Sequence, residues 1–362
     1  MRIISNDDLD GLLPMRDVVD ALRDAYLDLS RSQLAYVPLI GMWAPTPRTD
    51  DYFRCSAVTG NSARFGVAAI RIKSDIVSWP SGTKEQKYAG EPGTFCGLIL
   101  LLSTVDAQPL AILQDGIIQH MRVGAAGAIG VDIMARPDAT TLGMLGSGGM
   151  ARTFLEAISH VRSLTGIKVF SPTRANLLAY CAEMSELLNT EVSPAESAED
   201  VVRGSDIVVS ATNSLQPTLQ PEWIGPGAHV TVVQRRELVA GVYERATHIA
   251  QLGHSSMPRD AKIPGLQRVK GGLSAYLAGS PEQQARVPRG GDSSSQSYPT
   301  IAQIIGAGST ADRLPEDVSL FLPIGTQGVQ FAAVGGLALR RCEEFDRGQS
   351  LPSEWFLENI RN

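Results

Sequence analysis

Thr141-Leu142-Gly143-Met144-Leu145-Gly146-Ser147-Gly148-Gly149-Met150-Ala151 is an apolar strand that runs into a GxGxxA turn and on into a helix. Each residue type has a task there. Gly146 permits the tight turn, Gly148 lets the backbone approach a pyrophosphate, and Ala151 lets the helix lie close to the strand. The unpaired N–H groups at the start of that helix favour the anion. Ser147, Gly149 and Met150 complete the cradle, and Ala211-Thr212, at the end of a later strand, would flank it. A glycine pattern alone is weak, but the strand before, the helix after and a second strand at Ile167–Phe170 supply the context of a dinucleotide site.

The end of that second strand separates the two nicotinamide cofactors. A carboxylate there would accept a hydrogen bond from the ribose 2′-OH, whereas hydroxyls and an arginine suit a 2′-phosphate. The sequence reads Phe170-Ser171-Pro172-Thr173-Arg174. Without the carboxylate, Ser171, Thr173 and Arg174 favour NADP over NAD. Thr173 could instead cap the following helix.

Working outward, strands alternate with helices from Thr140 to Leu252: Thr140–Leu145, helix Met150–Ser163, Ile167–Phe170, helix Arg174–Leu188, then Asp206–Ala211, His229–Val233 and His248–Leu252. That alternation predicts a doubly wound parallel sheet, an α/β fold of Rossmann type. Upstream the pattern differs. An amphipathic helix spans about Pro14 to Ser32, and Phe65–Val77, Phe95–Thr104 and Pro109–Gln114 read as a meander of strands. A small-residue helix follows Gln119. Between the first two strands, residues 79–93 are polar and rich in breakers, the length of a binding lid. Residues 255–315 carry little pattern, and Gly290–Ser295 has the composition of a flexible loop.

The chain has 362 residues and a formal net charge of -6, an ordinary globular composition long enough for two domains. No apolar run reaches membrane-span length. The acidic N-terminus lacks a signal-peptide core. No basic stripe interleaved with aromatics suggests nucleic acid. Cys55, Cys96, Cys181 and Cys342 are far apart, as in a reduced, cytoplasmic protein, and neither they nor the histidines show metal-ligand spacing. Small molecules are the expected partners.

Two further features carry charge into apolar surroundings. In the strand around Val67–Val77, a period of two puts Arg71, Lys73 and Asp75 on one face and Ile70, Ile72 and Ile76 on the other. These cations serve either a protein carboxylate or a substrate carboxylate. Arg122 opens an otherwise apolar helix and needs a partner as well, either a structural carboxylate or one in a cleft.

The segments Ala69–Lys73, Leu98–Asp115, Met121-Arg122-Val123-Gly124-Ala125-Ala126, Gly143–Ala151, Gly204–Thr212, Trp223–His229 and Glu237-Leu238 together resemble the ornithine cyclodeaminase/mu-crystallin family in order and spacing. The resemblance implies a homodimer in which both chain ends, residues 1–125 and 320–362, build a mixed substrate and dimerisation domain around a nucleotide-binding domain at 126–319. It also implies that Lys73 and Arg122 grip the substrate carboxylate, with Arg54 as the candidate for a further family arginine. Cyclodeaminases of the family use an aspartate in a loop before the Glu-Leu pair. Here Val232-Val233-Gln234-Arg235-Arg236-Glu237-Leu238 is shorter and has none, as in mu-crystallin-like ketimine reductases. The expectation is an NADP(H)-dependent oxidoreductase acting on the C–N bond of an amino or imino acid. The alternatives are an NAD-dependent cyclodeaminase and a ligand-binding protein that has lost catalysis.

Overall fold

The computed structural model describes residues 1–79, 86–214, 216–253, 263–269, 274–288, 298–308, 314–358 and 360. Pro80–Thr83 of the expected lid and the Gly290–Ser295 loop lie outside the described residues.

In chain order, β1 (Arg2–Ile4), α1 (Asn6–Leu9), α2 (Met15–Ser30), β2 (Tyr36–Pro45), β3 (Asp51–Ser62), β4 (Val67–Ser78), β5 (Gln86–Tyr88), β6 (Cys96–Ser103), β7 (Pro109–Gln114) and α3 (Gly116–Met134) come first. Next are β8 (Thr141–Leu145), α4 (Gly149–Ser159), β9 (Gly166–Phe170), α5 (Arg174–Leu188), β10 (Val192–Pro194), α6 (Ala198–Val202), β11 (Ile207–Ser210), β12 (His229–Val232), α7 (Ala240–Arg245) and β13 (His248–Gln251). The rest is β14 (Leu266–Arg268), β15 (Ser274–Leu277), α8 (Pro281–Arg286), α9 (Ile301–Gly306), β16 (Ser319–Leu322), α10 (Gln327–Glu344) and β17 (Gln349–Ser350).

The expected parallel sheet is present, in the order β10-β9-β8-β11-β12-β16-β13. The dinucleotide turn lies at the carboxyl end of β8, where such sheets bind ligands. A mixed sheet, β14-β15-β2-β3-β4-β6-β7-β1-β17, with β5 also paired to β4, forms the second layer system.

Two boundaries differ from the expected domains. β14 and β15 fall inside 126–319, yet β15 pairs with β2 in the mixed sheet. β16, across the residue 320 boundary, inserts between β12 and β13 of the parallel sheet. The chain therefore crosses between the sheets more often than its ends alone would require.

The two faces of β4 separate as its alternation demands. Val67, Ala69 and Val77 are buried on the side that also carries Arg71, Lys73 and Asp75, and α10 packs against β3 and β4. The close approach of that helix needs Gly60 and Gly328, because a Cβ on either would meet the other's backbone. On the opposite face Met42, Ile72, Leu98 and Tyr276 remain 38–49% exposed. Strand register puts these four in adjacent rows across β15, β2, β4 and β6.

Candidate functional site

Strand register lays out the charged face row by row. Ser56, Lys73 and Gly97 share one row; Trp43, Arg54 and Asp75 the next; Tyr52, Val77 and Lys87 the one beyond. Gly97 leaves room beside Lys73, since a Cβ there would clash with the Asp115 carboxylate. Asp115 uses that room to accept from Arg71 Nε and Nη2 at 2.8 and 2.6 Å. Asp75 Oδ2 accepts from Arg54 Nε and Nη2 at 3.1 and 2.6 Å, and Lys73 Nζ stands 3.5 Å from the same oxygen.

Arg71 thus holds a protein carboxylate, one of the two outcomes open for the cations of that strand, and Arg54, the candidate for the family arginine, holds another from β3. Lys73 is different. Burial pulls its pKa down to about 8, helped by the positive charges of Lys87, Arg54 and Arg71 and opposed by Asp75. An ammonium so poised can give up a proton near neutral pH.

Arg122 is 6% exposed and meets only amide oxygens, Gln330 Oε1 at 2.9 Å and Gln119 Oε1 at 2.8 Å. Its Nε has no partner. Phe331 lies under both Arg122 and Arg71, at 5.0 and 5.3 Å from ring centre to guanidinium carbon. Burial, reinforced by Arg71, pulls the Arg122 pKa down, yet arginine keeps its proton at physiological pH. The result is a buried cation with no carboxylate among the described residues, which is costly unless an anion joins it.

From the same helix, His120 packs its ring 3.2 Å from where a Gly149 Cβ would sit. The charged face and the dinucleotide turn therefore adjoin through the first turns of α3. Burial lowers the His120 pKa, with Asp115 opposing.

The turn fits a dinucleotide. Gly146 has φ +110, and a Cβ there would come within 2.5 Å of Ala211 O, so only glycine suits. Gly148 caps α4 without a side-chain hydrogen bond, and nothing lies within 4 Å of where its Cβ would be. That open space adjoins the start of α4, whose first-turn N–H groups have no acceptor within the helix. Ser147 O is held by Arg152 Nη1 at 2.7 Å, fixing the loop, while Met150 enters α4. At the end of β9, Thr173 caps α5 by position only and makes no side-chain capping bond; its hydroxyl is not used in the way the alternative required. Ser171 lies alongside, and Arg174 makes an exposed 3.3 Å contact with Glu196, a pair worth little in water. Thr212 is committed elsewhere: its N–H and hydroxyl both donate to Glu237 Oε1. Burial pushes the Glu237 pKa up, opposed by donors from Thr212, Gln234 and Ser210, so this acid braces the strand ends.

Sequence reading missed Gln330 and Gln119, the amide partners of Arg122. Gln330 was visible as a polar residue inside an apolar helix, but its role needs the fold. Lys87, in the unassigned 79–93 segment, was missed as well. Among the described residues no group of histidine, cysteine or acid side chains could hold a metal ion, and no helix is long and apolar enough to cross a membrane.

Comparison with known proteins bears out the resemblance. The ornithine cyclodeaminase/mu-crystallin family model matches residues 75–238. A putative dehydrogenase of Rhizobium meliloti is 25% identical, covering 98% of this chain and 99% of its own length. A delta(1)-pyrroline-2-carboxylate reductase of Bacillus cereus is 23% identical over 72% of this chain and 74% of its own. The fold matches that of the Thermococcus litoralis delta(1)-pyrroline-2-carboxylate reductase solved with NADH and L-proline, with a TM-score of 0.73 at 22% identity over 97% of this chain and 100% of that one.

Proposed function

We propose that this relative of the ornithine cyclodeaminase/mu-crystallin family is an NADP(H)-dependent oxidoreductase that reduces the C=N bond of a 2-imino acid, or oxidises the corresponding amino acid. One observation carries the reading: Arg122 is a buried guanidinium whose described partners are amides, sharing the Phe331 ring with Arg71 of the β4 face that also carries Lys73, and joined through α3 to a dinucleotide turn. A substrate carboxylate supplies the missing anion.

Gly146, Gly148 and the first turn of α4 would hold the cofactor pyrophosphate, and Ser171, Thr173 and Arg174 its 2′-phosphate. When bound, the reduced nicotinamide supplies the hydride. Arg122 and Lys73 orient the substrate through its carboxylate, which fixes the position of the imine carbon. Lys73 Nζ then holds the proton that the imine nitrogen must gain, a role its pKa near 8 permits. Asp75, 3.5 Å away, favours the protonated form and keeps Lys73 charged before substrate arrives.

The preference for NADP is supported by the absence of a carboxylate at the end of β9. A homodimer is supported by the half-exposed apolar face of the mixed sheet around Met42, Ile72, Leu98 and Tyr276, which a second copy would cover. Leu98→Lys in that face should shift the sedimentation of the protein toward the monomer. Free thiols support a cytoplasmic location.

The test is cofactor oxidation, followed by absorbance, against cyclic ketimines and 2-oxo acids with ammonia. Release of ammonia from ornithine or lysine is assayed in parallel. NADPH-dependent turnover of an imine supports the reading; ammonia release without net cofactor change supports cyclodeamination instead.

A further inference from the structure

Gly149 is a glycine that its own backbone does not require. It is the first residue of α4, and unlike Gly146 it has no left-handed φ. What excludes a Cβ there is a side chain. The three atoms nearest to where that Cβ would sit, at 3.2, 3.3 and 3.5 Å, are Cε1, Nε2 and Nδ1 of His120. An imidazole is therefore seated on the first turn of the helix that follows the dinucleotide loop, and residue 149 is left bare to admit it.

A second observation concerns charge. His120 remains exposed, and among the described residues no hydrogen bond or ion pair engages either of its ring nitrogens. The charges felt at the ring are both on α3: Asp115 favours the imidazolium and Arg122 disfavours it, while burial of part of the ring is the largest influence and lowers the pKa. Asp115 is itself committed to Arg71. From α4, Arg152 is the one cation of the loop and first turn, and its guanidinium is taken by Ser147 O and Glu183. A diphosphate bound at this turn would bring two negative charges, which helix N–H groups offset only in part.

We propose that His120 supplies the missing cation: its imidazole takes up a proton as the cofactor binds and donates a hydrogen bond to the diphosphate, so that cofactor affinity is linked to pH. The inference rests on the dinucleotide reading of the turn and is independent of which imino acid is reduced. In the free protein the ring, lowered from 6.5, is mostly neutral at pH 7. A neighbouring diphosphate favours the charged form and raises the pKa. The bound state then holds more protons than the free state between the two pKa values, and affinity falls as pH rises across that window. The proton stays on the ring and takes no part in bond making at the imine.

The probe is ADP-ribose, which carries the diphosphate but neither nicotinamide nor 2′-phosphate and has no group that titrates near neutrality. It is titrated by calorimetry, between about pH 6 and 8, into the wild type, into His120→Phe, which keeps a ring on Gly149, and into His120→Asn, which keeps a donor that does not titrate. NADPH is titrated alongside, and melting temperatures show that the variants are folded. The wild-type dissociation constant should rise about five- to tenfold across that range, with a fraction of a proton taken up per ADP-ribose at neutral pH, read from buffers of different ionisation enthalpy. Both variants should lose the proton uptake and the slope, and His120→Phe should bind ADP-ribose and NADPH about tenfold more weakly at the acid end. An equal slope in the variants, or an affinity unmoved by His120→Phe, overturns the imidazole contact while leaving the dinucleotide reading intact. Weakened NADPH with unchanged ADP-ribose places the ring at the nicotinamide end and overturns the diphosphate contact. If the wild type binds neither ADP-ribose nor NADPH, the dinucleotide reading fails and this inference with it.

Discussion

Replacing Arg122 by methionine separates two roles that a buried arginine can have. If Arg122 were one half of a structural ion pair, removing it would strand a buried charge and cost roughly 3–5 kcal/mol of stability. The structure gives it no carboxylate among the described residues. Its partners are the amides of Gln119 and Gln330, and its Nε has none. Arg122→Met removes a desolvation cost of several kcal/mol, loses two charge-assisted hydrogen bonds worth ~1.5–3 kcal/mol each, and leaves Gln330 Oε1 short of a donor at ~1–3 kcal/mol. These contributions nearly cancel, so unfolding free energy measured by urea titration should change by no more than about 1–2 kcal/mol. Catalysis should not be spared. Losing the charged grip on a substrate carboxylate costs about 2–5 kcal/mol, so kcat/KM for an imine should fall by roughly 30- to 4000-fold. NADPH affinity should stay near that of the wild type. A variant destabilised by more than about 3 kcal/mol with near-normal kcat/KM would refute the reasoning and make Arg122 a structural strut.

Other substitutions and conditions probe the remaining parts. Gly148→Ala meets nothing within 4 Å and has an ordinary φ of -87, so it should leave the melting temperature unchanged while weakening NADPH binding in a fluorescence titration. Gly146→Ala, forced into φ +110 against Ala211 O, should lower the melting temperature as well. Arg174→Ala should weaken NADPH far more than NADH, and an unchanged ratio of dissociation constants would sink the 2′-phosphate site. For imine reduction, kcat/KM should fall as pH rises through about 8, where free Lys73 loses its proton. The stability contribution has the opposite sign. Because burial lowers the Lys73 pKa from the unfolded 10.5 to about 8, the unfolded chain binds more protons between those values, and Lys73 makes unfolding free energy rise with pH across that window.

The parallel sheet was legible because its strands and helices announce themselves by period, and α5 begins at Arg174 and ends at Leu188 as read. Two long strands, β2 and β3, were not assigned. Their stretch is full of Pro, Thr, Asp and aromatics, and its strand character comes from pairing with β4 and β15 rather than from alternation. β16 is four buried residues, Ser319–Leu322, too short to declare a period before the helix that follows. In the site, the face shared by Arg71, Lys73 and Asp75 followed from parity alone. Which of those cations was free to act did not, since Asp115 reaches Arg71 from another strand end and Gln330 reaches Arg122 across 208 residues. A sequence shows that a buried charge needs a partner; only the fold shows whether the protein provides it.

The most direct test is to follow the hydride. With NADPH deuterated at C4, a reactive imine or a 2-oxo acid with ammonia should yield an amino acid carrying deuterium at C2, one equivalent for each NADP⁺ formed, as read by mass spectrometry. Formation of a cyclic amino acid and ammonia from a diamino acid, with no net NADP⁺ and no deuterium passing from added NADPH to product, would contradict the account.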